Sequence, residues 1–216
     1  MHYTITSAQK KLEGRIILPA SKSISNRALI INALAYSPFD IENLSDSDDT
    51  RVMVDVLNSN INRFDIGHAG TAMRFLTAFL AKIVGEWEIT GSERMQQRPI
   101  KILVDALNQL GARVEYVNNE GYPPLRIFGS NLKGGKLELD GSISSQYISA
   151  LLMIAPTIEG GLELSLVNKI TSASYIDLTL RLMARFGIEY QWNGNVIIIP
   201  EQPYRAIPFT VEADWS

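Results

Sequence analysis

The sequence has 216 residues, of which 46% are hydrophobic and 20% are charged, and its formal net charge is -3. This composition is typical of a folded globular protein and excludes a disordered one. The weak negative charge argues against nucleic acid or an acidic membrane surface as a partner, while a small anionic ligand remains compatible with local positive charge. There is no cysteine, which excludes disulfides, thiolate metal ligands and a cysteine nucleophile.

The sequence shows no sign of export or membrane insertion. The first residues, MHYTITSAQKKLEG, have neither the apolar core of a signal peptide nor the arginines of a transit peptide. No apolar run approaches the roughly 18 residues that a membrane span needs. We therefore expect a cytoplasmic protein, which also fits the absence of cysteine.

Three segments predict a strand or loop followed by an apolar helix. GRIILPA precedes a helix over residues 21–35, DIGHAGT precedes one over 72–81, and LELDGSISSQ precedes one over 147–156, which Pro156 ends. The second is apolar on most sides and is therefore predicted to be deeply buried. All three begin with small polar residues or glycine.

Between these helices, a second pattern repeats: an amphipathic helix ends in glycine and a β-hairpin follows. One copy ends at Gly111 and another at Gly187, each where a left-handed C′ residue is expected. The second hairpin has an Asn-Gly turn at 193–194. TRVMVDVLN (50–58) is a shorter third copy with no hairpin. The repeat predicts an α/β (α+β) fold, and the three prolines of 200–208 predict a boundary.

The three polar helix starts predict an anion site, because helix N-termini present unpaired N–H groups and partial positive charge. Five cations lie near them in sequence: Lys22, Arg27, Arg74, Arg94 and Arg98. Any one start alone is explained by ordinary capping. His68 is a candidate base, although loop histidines are more often only hydrogen-bonded. The acidic run 46–49 is better explained by a solvated loop and N-cap than by a metal site, and no zinc or EF-hand spacing occurs.

Seven stretches in this order resemble motifs of the 5-enolpyruvylshikimate-3-phosphate synthase family. They are LPASKSISNRALIINALA, SDSDDTRVM, GHAGTAMRFLTAFLA, GSERMQQRPIKILVDAL, GSISSQYISALLMIAP, SYIDLTLRLMARFG and VEADWS. The resemblance covers nearly the whole chain. It implies one lobe of the two-lobed enolpyruvyl transferase fold, in which each lobe has three βαβαββ units around buried helices. The expected domains are a far-lobe strand segment (1–20), a substrate-binding lobe (21–208) and the start of a return crossing (209–216).

The resemblance also implies a reaction: transfer of the enolpyruvyl group of phosphoenolpyruvate to the 5-hydroxyl of shikimate 3-phosphate, with release of phosphate. The family uses no metal or organic cofactor. By similarity, Lys22 is a catalytic residue that lies between the two substrates. The residues expected to bind shikimate 3-phosphate are Lys22, Ser23, Arg27, Ser144, Ser145, Gln146, Ser172 and Tyr175. Those expected to bind phosphoenolpyruvate are Lys22, Gly70, Arg98 and Gln146, with His68 as a further candidate. Arg94 and Arg74 are expected to be cations that lie behind the substrate-binding residues without contacting the substrates directly.

The sequence departs from the family pattern in three ways. His68 stands where the GNxGT motif has asparagine, and the first repeat lacks its hairpin. No residue matches the acid and base groups that the far lobe supplies. We therefore expect the chain to continue in the natural protein. As it stands, the chain is expected to be inactive alone and prone to self-association, whereas the whole enzyme is expected to be monomeric.

Two alternatives stay open. UDP-N-acetylglucosamine enolpyruvyl transferase shares the fold, but that family has Lys-Asn after its first strand and often a reactive cysteine. This chain has Lys22-Ser23 and no cysteine, so the resemblance favours the shikimate enzyme. The other alternative is a non-catalytic anion-binding module.

Overall fold

A computed structural model describes residues 3–4 and 13–214. Parts of the predicted N-terminal segment and the end of the VEADWS motif lie outside these described residues. None of the helices in the described ranges is long and apolar enough to cross a membrane.

Helices account for the segments that the sequence predicts as apolar or amphipathic. The α-helices of the described residues are α1 Lys22–Leu34, α2 Asp48–Leu57, α3 Gly70–Lys82, α4 Lys101–Gln109, α5 Ser145–Ile154 and α6 Ala173–Arg185. Short 3-10 helices follow at Met95–Gln97 and Ala155–Thr157, and the second contains Pro156, which ends α5 as predicted. Gly111 and Gly187 follow α4 and α6 with φ of 88° each, a conformation that glycine adopts without steric cost.

The strands form short sheets between the helices. They are β1 Ile41–Glu42, β2 Arg63–Asp65, β3 Gly85–Thr90, β4 Arg113–Tyr116, β5 Leu125–Gly129, β6 Lys133–Asp140, β7 Glu159–Val167, β8 Gln191–Asn193, β9 Val196–Ile199 and β10 Phe209–Thr210. One sheet has the order β2-β3-β5-β4 and another has the order β6-β7-β9-β8.

Both four-stranded sheets are built by the same βαβαββ unit. In each, the first two strands are parallel and flank a buried helix, α3 or α5. An amphipathic helix, α4 or α6, then leads into an antiparallel hairpin that pairs with the second strand. The repeated α/β unit predicted from the glycine and hairpin spacing is thereby confirmed.

The third unit is reduced. β1 pairs in parallel with β10, so Ile41 lies beside Phe209, and the chain runs from α2 to β2 without a hairpin, as the sequence predicts. Residues 209–210, which the sequence assigns to a crossing, therefore belong to a sheet with β1. Residues 13–19 form no strand, and Ala20 makes an isolated bridge with Ala213. The assignment of lobe boundaries stays a prediction.

Helices α3 and α5 form the centre of the core. Nearly every residue of α5 is buried, as are most residues of α3, including Phe75 and Leu76. Their apolar faces contact each other and the sheets, which explains why their sequences are apolar on most sides. This packing also fixes where the two helices begin, and both beginnings carry predicted site residues.

Candidate anion-binding site

The starts of four helices meet at one cavity of about 300 Å³. α1 contributes its first two turns, α3 and α5 their first residues, and α6 its first turn. The residues that line the cavity are Lys22, Ser23, Asn26, Arg27, Thr71, Ser144, Ser145, Gln146 and Tyr175. The predicted convergence of polar helix starts is therefore present, and it brings unpaired N–H groups, hydroxyls and cations to one place.

Arg27 is the most deeply buried cation of this cavity, with 3% of its surface exposed. Its Nε donates to Thr179 Oγ1 at 2.7 Å, its Nη2 to Ser149 Oγ at 3.1 Å and its Nη1 to the Ser23 carbonyl at 3.0 Å. The guanidinium also lies 5.3 Å from the ring centroid of Phe75. These contacts hold the side chain in one position. They use three of the five N–H donors of the guanidinium, so two donors take no part in them.

No carboxylate pairs with Arg27 within the residues that the structure describes. Burial therefore lowers the pKa of Arg27 to about 10, an effect that the nearby Tyr175 hydroxyl partly opposes. Buried charges are normally paired, so an unpaired guanidinium at a cavity wall is a site for an anion.

The serines of α5 lie across the cavity. Ser144 is the N-cap of the helix, and its Oγ accepts a hydrogen bond from the Gln146 N–H at 3.4 Å. The Gln146 side chain extends to α3, where its Nε2 donates to Thr71 Oγ1 at 3.3 Å. Ser145 lies at the first helical position and lines the same cavity. This arrangement offers hydroxyl and N–H donors to a phosphate or carboxylate.

A second, smaller cavity of about 150 Å³ lies beside the start of α3 and is lined by His68, Arg94, Met95 and Arg98. The Arg98 guanidinium lies against Gly70: a Cβ on Gly70 would come within 2.9 Å of Arg98 Cζ. His68 Nδ1 is 2.8 Å from Ser92 Oγ, so that hydroxyl holds the imidazole ring. His68 is therefore a hydrogen-bonded loop histidine, the interpretation that the sequence favours over a catalytic base.

Arg74 lies behind this second cavity. It is 4% exposed, and it donates to the Gly70 carbonyl at 3.0 Å and to the Pro99 carbonyl at 3.2 Å. Burial is the main cause that lowers its pKa. Arg74 thus ties the start of α3 to the segment that carries Arg98.

Lys22 lines the first cavity, with 49% of its side chain exposed. Its Nζ is 3.8 Å from Asp49 Oδ2. Asp49 belongs to the acidic run that the sequence assigns to a solvated loop and N-cap. Ser47 occupies the N-cap position of α2, whereas Asp48 and Asp49 lie in the first turn of the helix rather than in a loop, and Asp49 is only 18% exposed.

Not every predicted residue reaches the cavity. Ser172 is the N-cap position of α6 and is not among the lining residues, although Tyr175 one turn later is. Conversely, sequence reasoning missed Asn26, Thr71 and the two hydroxyls that hold Arg27. Ser149 had a signal, because a serine inside an otherwise apolar buried helix needs a polar partner. Thr179 had none.

A larger cavity, of about 680 Å³, lies elsewhere, between α1, α2 and β3. Its lining includes Asn58 and Ser59, which follow α2. Its lining contains no lysine, arginine or histidine and is mainly apolar. Because the predicted chemistry requires cations, the smaller cavity at the helix starts is the candidate site despite its size.

Comparisons with known proteins show which family the chain matches. The family described as EPSP synthase (3-phosphoshikimate 1-carboxyvinyltransferase) matches residues 6–59 and 57–216. A 3-phosphoshikimate 1-carboxyvinyltransferase of Bacteroides fragilis (strain YCH46) is 55% identical over 217 residues, covering 100% of this chain and 53% of that protein. One of Sulfurovum sp. (strain NBC37-1) is 43% identical over 235 residues, covering 95% of this chain and 55% of the relative.

Among solved structures, an EPSP synthase from Acinetobacter baumannii aligns with a TM-score of 0.81 at 21% identity, covering 93% of this chain and 50% of that one. This likeness concerns the fold. It confirms the expected mixed α/β class and is consistent with one lobe of a two-lobed fold.

Fold and site together define an α/β lobe whose converging helix starts form a candidate anion site. The chain belongs to the EPSP synthase (3-phosphoshikimate 1-carboxyvinyltransferase) family. It spans about half the length of the curated relatives it matches. The names of these relatives favour the shikimate enzyme over the UDP-N-acetylglucosamine alternative.

Proposed function

We propose that this chain carries the shikimate 3-phosphate half-site of an enzyme that transfers the enolpyruvyl group of phosphoenolpyruvate to shikimate 3-phosphate. The observation that carries the proposal is Arg27, a buried cation without a carboxylate partner among the described residues, at the wall of a cavity of about 300 Å³. Such a cation binds a carboxylate through paired N–H groups. The surrounding hydroxyls suit a phosphorylated polyol.

The residues that the sequence assigns to shikimate 3-phosphate have separate roles in this proposal. Ser23 and Arg27 hold the carboxylate end of shikimate 3-phosphate, and Tyr175 lines the pocket of its ring. Gln146 lies against the ring. The residues proposed to bind the 3-phosphate are Ser144 and Ser145 at the start of α5 and Ser172 at the start of α6.

Phosphoenolpyruvate takes the second cavity. Its phosphate is held by the Gly70 N–H and by Arg98, with His68 Nε2 as a further donor and Arg94 near it. Lys22 lies between the two substrates and neutralises negative charge on both, while Gln146 also contacts phosphoenolpyruvate. Both substrates are anions, so bringing them together costs electrostatic energy that these cations offset.

The chemistry needs more than these residues. Protonation of the enolpyruvyl methylene and deprotonation of the 5-hydroxyl require an acid and a base. No residue here matches the family positions for them. We therefore propose that the chain binds substrate but is inactive without the rest of the enzyme. We also propose that the whole enzyme is a cytoplasmic monomer that needs no cofactor.

The first test is calorimetric titration of the 216-residue chain with shikimate 3-phosphate at low salt, with shikimate as the control ligand. Saturable binding that requires the 3-phosphate is expected. Binding of both ligands alike would contradict the assignment of the serines. No binding to a chain shown to be folded would mean that the half-site is not preformed.

A second test separates an enzyme lobe from a bare anion-binding module. The chain is mixed with a separately produced C-terminal half of a close relative, and phosphate release is followed with both substrates present. Restored turnover supports the enzyme lobe. Saturable binding without turnover in a well-formed complex would support the module.

A further inference from the structure

The acidic segment before α2 makes a contact that neither the predicted solvated loop nor a metal site explains. Asp49 lies in the first turn of α2, but its Oδ1 accepts the Thr71 N–H at 2.8 Å and the Ala72 N–H at 3.4 Å. Both N–H groups belong to the first turn of α3. A carboxylate from one helix therefore caps the start of another.

Helix α3 has no cap of its own. Its N-cap position is Ala69, which has no polar side chain, and no side-chain hydrogen bond comes from it. An N-cap side chain normally accepts from the second or third N–H of a helix, and these are the two groups that Asp49 takes. The Gly70 N–H, the first of the helix, has no acceptor among the described residues, and the Arg98 guanidinium of the second cavity lies against this glycine.

Asp49 is itself held on the other side. Its Oδ2 is 3.8 Å from Lys22 Nζ at the start of α1. The next residue, Thr50, is buried and donates to Asn26 Oδ1 of α1 at 2.7 Å. The first turn of α2 is thus fixed to α1 while its carboxylate reaches α3.

The contact continues across the cavity. Thr71, whose N–H Asp49 accepts, receives the Gln146 side chain of α5 on its Oγ1 at 3.3 Å. A line of hydrogen bonds therefore joins the starts of α2, α3 and α5. Thr71 and Gln146, at the end of this line, both line the first cavity.

We propose that Asp49 is a positioning residue of the anion site: it holds the start of α3 so that the Gly70 N–H and Thr71 face the ligands, and it orients Lys22. It contacts no substrate in this proposal, which rests on the proposed function for the identity of the ligands. A charge argument alone predicts the reverse effect, because removing a carboxylate beside an anion site strengthens anion binding.

The test uses inorganic phosphate as the probe, so that it does not depend on shikimate 3-phosphate. The wild-type chain and variants Asp49→Ala, Asp49→Asn and Asp48→Ala are titrated, and the Gly70, Thr71 and Ala72 amide resonances are followed by NMR. Asp49→Asn keeps an oxygen acceptor for the N–H groups. Asp48 is the matched control, because it is exposed in the same turn of α2 and makes no contact with α3.

We expect Asp49→Ala to weaken phosphate binding about five- to tenfold, which corresponds to the loss of one helix cap, and to speed hydrogen exchange at Thr71 and Ala72. Asp49→Asn and Asp48→Ala are expected to stay within about threefold of wild type. Phosphate binding that is restored in Asp49→Asn would indicate a positioning role. Faster hydrogen exchange that is confined to the start of α3 would exclude general destabilisation of the fold.

Three results would overturn the inference: tighter binding by Asp49→Ala, an equal loss in Asp49→Asn, or no phosphate binding to the wild-type chain at Gly70. The proposed function fails separately. If phosphate binds as expected but shikimate 3-phosphate does not bind, the positioning role of Asp49 stands and the assignment of the substrate is wrong.

Discussion

Arg27 shows how a single residue can serve binding at the expense of stability. Burial lowers its pKa from 12.5 to about 10, which corresponds to about 3 kcal/mol that the buried charge costs the folded chain. The neutral hydroxyls of Ser149 and Thr179, which also lie 2.8 Å from each other, offset part of this cost. A carboxylate ligand would offset the rest.

Arg27→Met is therefore expected to leave the unfolding free energy within about 1–2 kcal/mol of wild type, or to raise it, because it removes a buried charge and keeps much of the volume. The same change should weaken shikimate 3-phosphate binding at least about tenfold, through loss of charge-assisted hydrogen bonds. Urea unfolding and calorimetry measure the two effects. Arg181→Met, on the exposed face of α6, is the charge-matched control. Unchanged affinity in Arg27→Met would refute the role of this residue.

Gly70 illustrates a steric requirement rather than a backbone one. A Cβ there would come within 2.9 Å of Arg98 Cζ and Nη2, so Gly70→Ala should displace the guanidinium from the second cavity. We expect phosphate binding to fall about tenfold, because one charge-assisted contact is lost, with little change in stability. Gly14→Ala, which meets open space, is the control. NMR titration with inorganic phosphate checks this, and equal binding by both variants would show that Arg98 is not a ligand.

At the scale of single residues, the sequence predicts the cations and hydroxyls of the candidate site well. It predicts poorly the residues that hold those side chains in place. Lys22, Arg27 and Ser144 follow recognisable motifs at helix starts. Thr179 and Asp49 act across helices that are distant in sequence. Their contacts depend on how α2, α3 and α6 pack, which no local pattern encodes.

Among the elements, the buried helices were the most predictable and the irregular segments the least. α5 is apolar over its whole length and ends before a proline, so both its burial and its end follow from the sequence. The segment 200–208 looks like a domain boundary because of its prolines. In the structure it is fixed to the core: the Gln202 N–H donates to the Pro156 carbonyl and the Arg205 N–H to the Phe186 carbonyl.

Tyr204 anchors this segment and gives it a measurable pH dependence. Its hydroxyl donates to the Met153 carbonyl of α5 at 2.8 Å, and burial raises its pKa well above 10. The unfolded chain ionises this phenol near pH 10 while the folded chain does not. The resulting stability is complete below pH 10 and is lost as pH rises above it, at about 1.4 kcal/mol per pH unit for one group.

Tyr204→Phe should therefore lower the unfolding free energy by about 1–2 kcal/mol at pH 7, since it leaves a buried carbonyl without its partner. The same change should also make the unfolding free energy decrease less steeply above pH 10. Chemical unfolding at pH 7 and at several values from pH 9 upward measures both. Tyr36→Phe, at a side chain 86% exposed, is the control for loss of a hydroxyl at pH 7. If the unfolding free energy of Tyr204→Phe decreases as steeply with pH as that of the wild type, the pH dependence belongs to another group.

For the molecule as a whole, the repeated unit explains how the helix starts come together at one site. Each βαβαββ unit buries one apolar helix, and the helices of different units begin at the same place, so helix N-termini that favour anions converge at one cavity. The sequence predicts the repeat because glycine and hairpin positions are local signals. It cannot predict that β1 and β10, from opposite ends of the chain, pair to form the reduced unit.

The exposed apolar segment at residues 13–19 carries the last prediction. Ile16 and Ile17 are 85% and 83% exposed, although each would gain roughly 1.5–3 kcal/mol by full burial. We expect the chain to self-associate through this segment, so that its sedimentation coefficient rises with concentration. The double variant Ile16→Ser and Ile17→Ser should shift association to higher concentration, whereas Val84→Ser, at another exposed apolar side chain, should not. A wild-type chain that sediments as a monomer at every concentration would contradict this prediction, because it would show that the exposed side chains do not drive self-association.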